Sequence, residues 1–156
     1  MKPITIEPLV SIAQAPYALL YLADPSEDAV SDYLRRGDTF TVSHDGAVVA
    51  VMVLLPTRPF TLELVNLAVD PGWQRQGIAR ALIQFARQRA KALGFHLLEV
   101  GTGNSSCQAL MLYQRCGFSI CGIELDFFRH HYAEPIWEEG IECRHMIRLA
   151  MNLMEE

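Results

Sequence analysis

No segment of the sequence is suited to export or to membrane insertion. No early stretch joins a basic start, an apolar run and a small-residue cleavage site, which together mark a signal peptide. The longest apolar runs have the length of a strand, far short of the roughly 20 residues that a membrane-spanning helix needs. We therefore expect a cytoplasmic protein with no membrane partner.

Cysteine is scarce and shows neither a disulfide pattern nor a metal-binding pattern. No two of the four cysteines form a CxxC pair. They are Cys107, Cys116, Cys121 and Cys143. Histidines near Cys143 do not complete a zinc site, because the adjacent His130 and His131 would point to opposite faces of an extended segment. The sequence predicts reduced thiols and no metal site.

Basic residues are too few for a surface that binds nucleic acid. The chain has 13 Lys and Arg against 18 Asp and Glu, a formal net charge of -5, whereas phosphate neutralisation needs a basic face. There is no repeat, no low-complexity stretch and no linker. With 156 residues, 51% of them hydrophobic, residues 1–156 are expected to form a single domain with a buried core.

Hydrophobic periodicity and turn residues predict an alternation of strands and helices. Strands are predicted at 4–8, at 39–56 as a hairpin turning at Asp45-Gly46, and at 60–69, 95–102, 118–128 and 142–153. Helices are predicted at 16–23, 26–36, 77–93 and 105–116, and a helix is the alternative for 142–153. Ser26 is the expected N-cap and Gly37 the expected stop of the second helix. This order predicts an α/β fold, with a mixed sheet covered by helices.

The segment DPGWQRQGIARALI, residues 70–83, places a glycine and several donor side chains where a helix begins. The start of a helix carries unpaired N–H groups and a partial positive charge, so it can bind an anion. Gly77 and the small Ala79 leave the backbone accessible, and donors surround them at Gln74, Arg75, Gln76 and Arg80. The alternative is an ordinary helix start whose glycine tightens the loop.

The longer segment VNLAVDPGWQRQGIARALI resembles the GNAT superfamily of N-acetyltransferases. The family signature has Arg or Gln, two residues, Gly, one residue, then Gly or Ala, and it is met here by Gln74, Gly77 and Ala79. The downstream segment ALMLYQRCGF resembles a second block of the family. The resemblance implies a central, mixed but mostly antiparallel twisted sheet of about six or seven strands, splayed at the fourth strand and flanked by about four helices. It also implies acetyl-CoA as co-substrate.

The same resemblance implies which residues bind the coenzyme. Backbone N–H groups of residues 74–79 would hold the diphosphate, and the end of the preceding strand would receive the thioester. The predicted set is Leu67, Ala68, Val69, Gln74, Arg75, Gln76, Gly77, Ile78, Ala79, Arg80, Asn104 and Ser106. Many members have an asparagine where this chain has Ser106, so Asn104 either reaches the pantetheine arm from its loop or caps the helix. The segment VGTGNSSC matches a dinucleotide fingerprint poorly, because Ser106 takes the place of the sixth-position glycine.

Two residues are candidates for the chemistry of acetyl transfer. By resemblance Tyr113 would protonate the departing thiolate, and the alternative is a core tyrosine. Glu63 would remove a proton from the amine; strand alternation places it with Val65 and Leu67, among apolar neighbours that would raise the pKa of its carboxyl. The alternative is a glutamate in solvent. By the same resemblance, backbone N–H groups at residues 67–69 would stabilise the oxyanion, and the role of Asn66 is open.

The acceptor is less well specified by the sequence. The segment 126–143 carries aromatic and acidic residues, and a cationic amine could be attracted by Glu134, Glu138, Glu139 and Glu142; the alternative is a solvated acidic face. We expect an acetyl-CoA-dependent transfer to a small-molecule primary amine by direct attack in a ternary complex. The alternatives are a protein N-terminal or lysine acetyltransferase and a non-catalytic acyl-CoA sensor. The apolar tail MIRLAMNLM is compatible with a homodimer.

Overall fold

A seven-stranded sheet forms the centre of the computed structural model, which describes residues 3–154. The strands in chain order are β1 (Thr5–Pro8), β2 (Asp38–His44), β3 (Ala47–Arg58), β4 (Thr61–Val69), β5 (Leu97–Gly103), β6 (Ser119–Glu124), β7 (Trp137–Glu138), β8 (Ile141–Glu142) and β9 (Met146–Asn152). The order across the sheet is β1-β2-β3-β4-β5-β9-β6, and β7 pairs with β8 in a separate hairpin. Only the β4–β5 pair of the described sheet is parallel. The predicted mixed, mostly antiparallel sheet is confirmed.

Five α-helices are described, and four of them match the predicted ones. They are α1 (Tyr17–Ala23), α2 (Glu27–Arg36), α3 (Ile78–Ala92), α4 (Cys107–Arg115) and α5 (Phe127–His131). As predicted, the Ser26 side chain caps α2 by accepting a hydrogen bond from the Ala29 N–H at 3.1 Å, and Gly37 ends it. The described residues include no helix that is long and apolar enough to span a membrane.

The helices cover both faces of the sheet and define two hydrophobic clusters. On one face α3 and α4 pack against Leu62, Leu64, Leu98 and other strand residues. On the other face α1 and α2 pack against Val51, Val53 and Leu55 of β3. We call these the α3–α4 face and the α1–α2 face. Because side chains alternate along a strand, neighbouring residues of β4 and β5 serve different faces.

The centre of the sheet separates between β4 and β5. Their parallel pairing runs from Thr61–Leu97 to Leu64–Val100 and stops there, whereas both strands continue. At the same level β4 carries a β-bulge: the consecutive residues Leu54 and Val53 of β3 pair with Leu64 and Asn66, so Val65 is the extra residue. The predicted splay at the fourth strand therefore begins at Val65.

The C-terminal third of the chain differs from the predicted strands 118–128 and 142–153. β6 ends at Glu124, and Asp126 adopts a left-handed conformation (φ 60°) that starts the short helix α5. The Arg144 guanidinium bonds the Asp126 carboxylate, which fixes this turn. The hairpin β7–β8 precedes β9, and β9 pairs with β5 on one side and β6 on the other. The helical alternative for this segment is therefore wrong.

Candidate active site

The start of α3 leaves its backbone N–H groups without a side-chain cap. Gly77 occupies the N-cap position in a left-handed conformation (φ 83°), and within residues 3–154 no side-chain cap hydrogen bond is formed there. The preceding loop is held by Gln74, whose Nε2 donates to the Val69 carbonyl at 3.1 Å. Arg75 and Arg80 are exposed beside it, while the Ile78 side chain is buried in the core. A diphosphate would meet uncapped N–H groups, a glycine without Cβ and two guanidiniums, so these residues fit the group.

The gap between β4 and β5 opens next to this loop. Beyond Leu64 the outer part of β4, residues 65–69, pairs with β3 on one side but not with β5 on the other. Leu67 and Val69 pack toward the α3–α4 face, and Ala68 belongs to the α1–α2 face. Peptide groups of residues 67–69 thus border a gap in which an extended chain could form strand-like hydrogen bonds, as the pantetheine arm of coenzyme A would require.

Tyr113 lies on the α3–α4 side of the sheet. Its side chain is 7% exposed and its ring packs edge-on against Phe118, with 5.7 Å between ring centroids. Burial raises the pKa of Tyr113 to about 12, with a smaller contribution from Cys116. The hydroxyl therefore keeps its proton at neutral pH, which is the protonation state that a general acid needs.

Glu63 lies on the other side of the sheet, and its surroundings differ from the prediction. The bulge at Val65 reverses the alternation, so Val65 shares the α1–α2 face with Glu63 but Leu67 does not. The Glu63 carboxylate also faces a cation: Nη2 of Arg148 donates to its Oε1 at 3.1 Å. The expected apolar environment is wrong, because a bulge shifts the period of a strand without leaving a sequence signal.

Arg148 joins Glu63 to a second carboxylate that the sequence did not single out. Glu63 and Glu99 occupy matching positions of β4 and β5, and Nη2 of Arg148 also lies 3.5 Å from Oε1 of Glu99. Gly101 makes this possible, since a Cβ there would lie 2.7 Å from Nη1 of Arg148. The carboxylates lie 85 and 49 residues from Arg148 along the chain, so only the fold reveals the cluster.

Asn66, directly after the bulge, fastens both helices of the α1–α2 face to β4. It is 3% exposed, and its Nδ2 donates to the Leu20 carbonyl at 3.0 Å and to the Tyr33 hydroxyl at 2.7 Å. Tyr33 and Tyr132 in turn donate to the two carboxylate oxygens of Asp24, at 3.2 and 2.7 Å. Burial raises the pKa of both tyrosines, so both remain donors at neutral pH. Asn66 therefore supports the separated part of β4.

Asn104 does not cap α4, and its side chain bonds to the segment before β9. Its Oδ1 accepts hydrogen bonds from the Arg144 and His145 N–H groups at 2.8 and 2.9 Å, and its Nδ2 donates to the Glu142 carbonyl at 3.1 Å. These bonds use the side chain to tie the end of β5 to the segment before β9. The N-cap of α4 is Ser106, whose Oγ donates to Glu138 at 3.0 Å.

The segment between β6 and β9 borders a cavity of about 340 Å³ whose lining is mainly aromatic and apolar. Of the acidic residues there, Glu142 is paired with Arg129 at 2.8 Å and Glu138 accepts hydrogen bonds from Ser105 and Ser106. Trp137 is 64% exposed. His130 and His131 are exposed on α5. Within residues 3–154, no three His, Cys, Asp or Glu side chains are grouped to hold a metal ion.

Comparison with known proteins identifies the family. A model of the acetyltransferase (GNAT) family matches residues 6–118. The chain belongs to the GNAT family. An uncharacterized N-acetyltransferase of Bacillus subtilis (strain 168) is 50% identical over 137 residues, 88% of each chain. This GNAT member is therefore an N-acetyltransferase.

Solved GNAT structures extend the comparison to the fold and the coenzyme. A GNAT family acetyltransferase from Elizabethkingia anophelis with acetyl-CoA bound is 41% identical, with a TM-score of 0.94 over 97% of this chain and 99% of that one. A Bacillus subtilis acetyltransferase in complex with CoA is 46% identical, with a TM-score of 0.92 over 97% and 100%. Both GNAT neighbours hold the kind of ligand that the start of α3 and the β4–β5 gap of this chain fit.

Proposed function

We propose that this protein, as a single domain over residues 1–156, transfers the acetyl group of acetyl-CoA to a primary amine of a small molecule. The observation that carries the proposal is the gap between β4 and β5, which begins at Val65 next to the uncapped start of α3. Tyr113 lies on one face of the sheet, and Glu63 lies on the other, two residues before the gap begins. An acid and a base on opposite sides suit direct attack in a ternary complex, without an acyl-enzyme.

The coenzyme would be held by the residues that border the gap and the loop. The diphosphate would bind the N–H groups of residues 74–79, with Arg75 and Arg80 supplying positive charge, and the pantetheine arm would lie along residues 67–69. When bound, acetyl-CoA supplies a thioester that a neutral amine can attack. Asn104 or Ser106 would contact the pantetheine arm from the other strand; in this structure their side chains bond to residues 138–145.

Three groups of the chain would then act on the reacting atoms. The carboxylate of Glu63 takes a proton from the ammonium of the acceptor, directly or through a water. Backbone N–H groups at residues 67–69 donate to the carbonyl oxygen as it becomes negative. The Tyr113 hydroxyl holds its proton at neutral pH and donates it toward the sulfur.

The size of the cavity around Glu63 supports a small acceptor. This cavity, which we call the charged cavity, has a volume of about 470 Å³ and opens on the sheet beside Glu63 and Glu99. Binding sites for small molecules span about 300–1,000 Å³. A protein N-terminus or lysine remains the second acceptor class.

The proposal is tested by measuring free-thiol release from acetyl-CoA with a panel of small primary amines and of short peptides, alongside calorimetry with CoA. We expect CoA to bind and small amines to release thiol faster than peptides at equal concentration. CoA binding without thiol release from any acceptor would favour the acyl-CoA sensor. Faster release with peptides would favour the protein acetyltransferase.

A further inference from the structure

The charged cavity contains ionised side chains of both signs on the open part of the sheet. It is bordered by residues of β3, β4, β5, β6 and β9. Its ionised residues are Arg58, Glu63, Glu99, Glu124 and Arg148. Three carboxyl groups thus face two guanidiniums, which gives the cavity a formal charge of one negative unit.

The two guanidiniums are engaged by the same carboxylates. Arg148 is about four-fifths buried and lies between Glu63 and Glu99, at 3.1 and 3.5 Å. Arg58 bonds Glu99 from the other side at 2.8 Å. An incoming carboxylate would therefore have to compete with carboxylates that the fold already holds in place.

Of the three carboxylates, Glu124 makes the longest contact with a guanidinium. Its Oε1 lies 3.9 Å from Nε of Arg148, beyond hydrogen-bonding distance, and its side chain is 53% exposed. It faces the cavity from β6, the strand at the edge of the sheet. An ammonium group that enters near Glu63 would balance the surplus charge that Glu124 contributes.

We propose that the charged cavity selects acceptors that carry one ammonium group and no acid group, and that Glu124 determines this specificity. The inference rests on the proposed function, because it places the acceptor next to Glu63. A monocationic amine makes the charge of the cavity neutral. An amino acid brings a carboxylate into a cavity where three are already present, and like charges repel in a partly desolvated site.

The experiment compares matched acceptors in the thiol-release assay: phenylethylamine with phenylalanine, and isoamylamine with leucine. Each pair shares its side chain and differs by one carboxylate. We expect kcat/KM to be about tenfold or more higher for the amine of each pair. Equal or higher values for the amino acids, or thiol release from neither member while calorimetry shows CoA binding, would overturn this inference alone. Absence of CoA binding would instead overturn the proposed function.

Charge variants test whether Glu124 causes the discrimination against amino acids. Glu124→Gln should raise KM for the amines by about three- to tenfold, leave KM for acetyl-CoA unchanged and reduce the discrimination against amino acids. Glu124→Lys should reduce that discrimination further, because it gives the cavity a surplus positive charge. Glu7→Gln is the matched control: it removes an equal charge from β1, at the opposite edge of the sheet, and should change neither KM.

A further variant tests whether the amine instead enters through the cavity of about 340 Å³ beside the segment between β6 and β9. Glu134 lines that cavity and is exposed. If Glu134→Gln raises KM for the amines and Glu124→Gln does not, the acceptor binds beside the segment 127–143 and the inference is wrong. Because Glu124 and Glu134 are both exposed, neither substitution removes a buried contact, and both variants should fold.

Discussion

At the scale of single residues, the proposed chemistry depends on two side chains that lie on opposite faces of the sheet, Tyr113 and Glu63. The position of Tyr113 on the buried side of α4 was predicted from the sequence, and its role as the acid stays a prediction. The surroundings of Glu63 were not predictable from the sequence, because neither the bulge at Val65 nor the distant Arg148 leaves a local sequence signal. Short-range patterns predict which residue lies on which element; they do not predict contacts between residues far apart in the chain.

Replacing Tyr113 with Phe should lower kcat by about 100-fold and leave the CoA dissociation constant nearly unchanged. The substitution removes the proton donor but keeps the ring that packs on Phe118. Because burial raises the pKa of Tyr113 to about 12, the wild-type enzyme should show no loss of kcat through tyrosine ionisation up to about pH 10. Steady-state kinetics from pH 6 to 11 test both expectations; wild-type turnover in the variant would remove Tyr113 from the mechanism.

Replacing Glu63 with Gln should lower kcat by about 100-fold at neutral pH, because no carboxylate then takes the proton from the ammonium. The loss should shrink as the pH approaches the pKa of the free amine, about 10, where the neutral acceptor is abundant. A pH–rate profile identical to that of the wild type would exclude Glu63 as the base. If Glu99→Gln instead abolishes the fall in rate at low pH, the base is Glu99 on β5 rather than Glu63.

At the scale of elements, turn and cap residues made most boundaries predictable. The hairpin between β2 and β3 turns where Asp45 and Gly46 both have positive φ, as an Asp-Gly pair favours, and α2 begins and ends at the predicted cap and glycine. The short helix α5 was missed because it depends on Asp126, which adopts a left-handed conformation and bonds the distant Arg144. Such elements are determined by tertiary contacts rather than by propensity.

Anion binding at the start of α3 can be tested by replacing two glycines that have the same conformation. Gly77 and Gly94 lie at the two ends of the helix and both have φ 83°. Alanine should therefore cost similar backbone strain at either position. We expect Gly77→Ala to weaken CoA binding about tenfold, since its Cβ intrudes on the diphosphate, and Gly94→Ala to leave it unchanged. Equal calorimetric affinities in the two variants would contradict the proposed anion site.

The N-cap of α2 makes a separate prediction about stability. Ser26→Ala removes the hydrogen bond to the Ala29 N–H and should lower the free energy of unfolding by about 1 kcal/mol. Ser31→Ala, on the exposed side of the same helix, should be close to neutral. Urea denaturation measures both. A Ser26→Ala variant as stable as the wild type would show that the cap contributes nothing.

At the scale of the whole molecule, the fold brings the ends of distant segments to one gap in the sheet. The Asp24 carboxylate joins α2 to the segment after β6, through Tyr33 and Tyr132, and Asn66 connects this network to β4. The order of strands and helices from β1 to β6 could be read from the sequence because each of these elements has its own period. The shared charged cavity could not, because its five ionised residues come from five strands.

The central claim is that the β4–β5 gap and the uncapped start of α3 together bind acetyl-CoA. A crystal structure of the complex tests it most directly. We expect the diphosphate oxygens within hydrogen-bonding distance of the N–H groups of residues 74–79 and the pantetheine arm along residues 67–69. A coenzyme bound elsewhere, with those N–H groups facing solvent, would contradict the account.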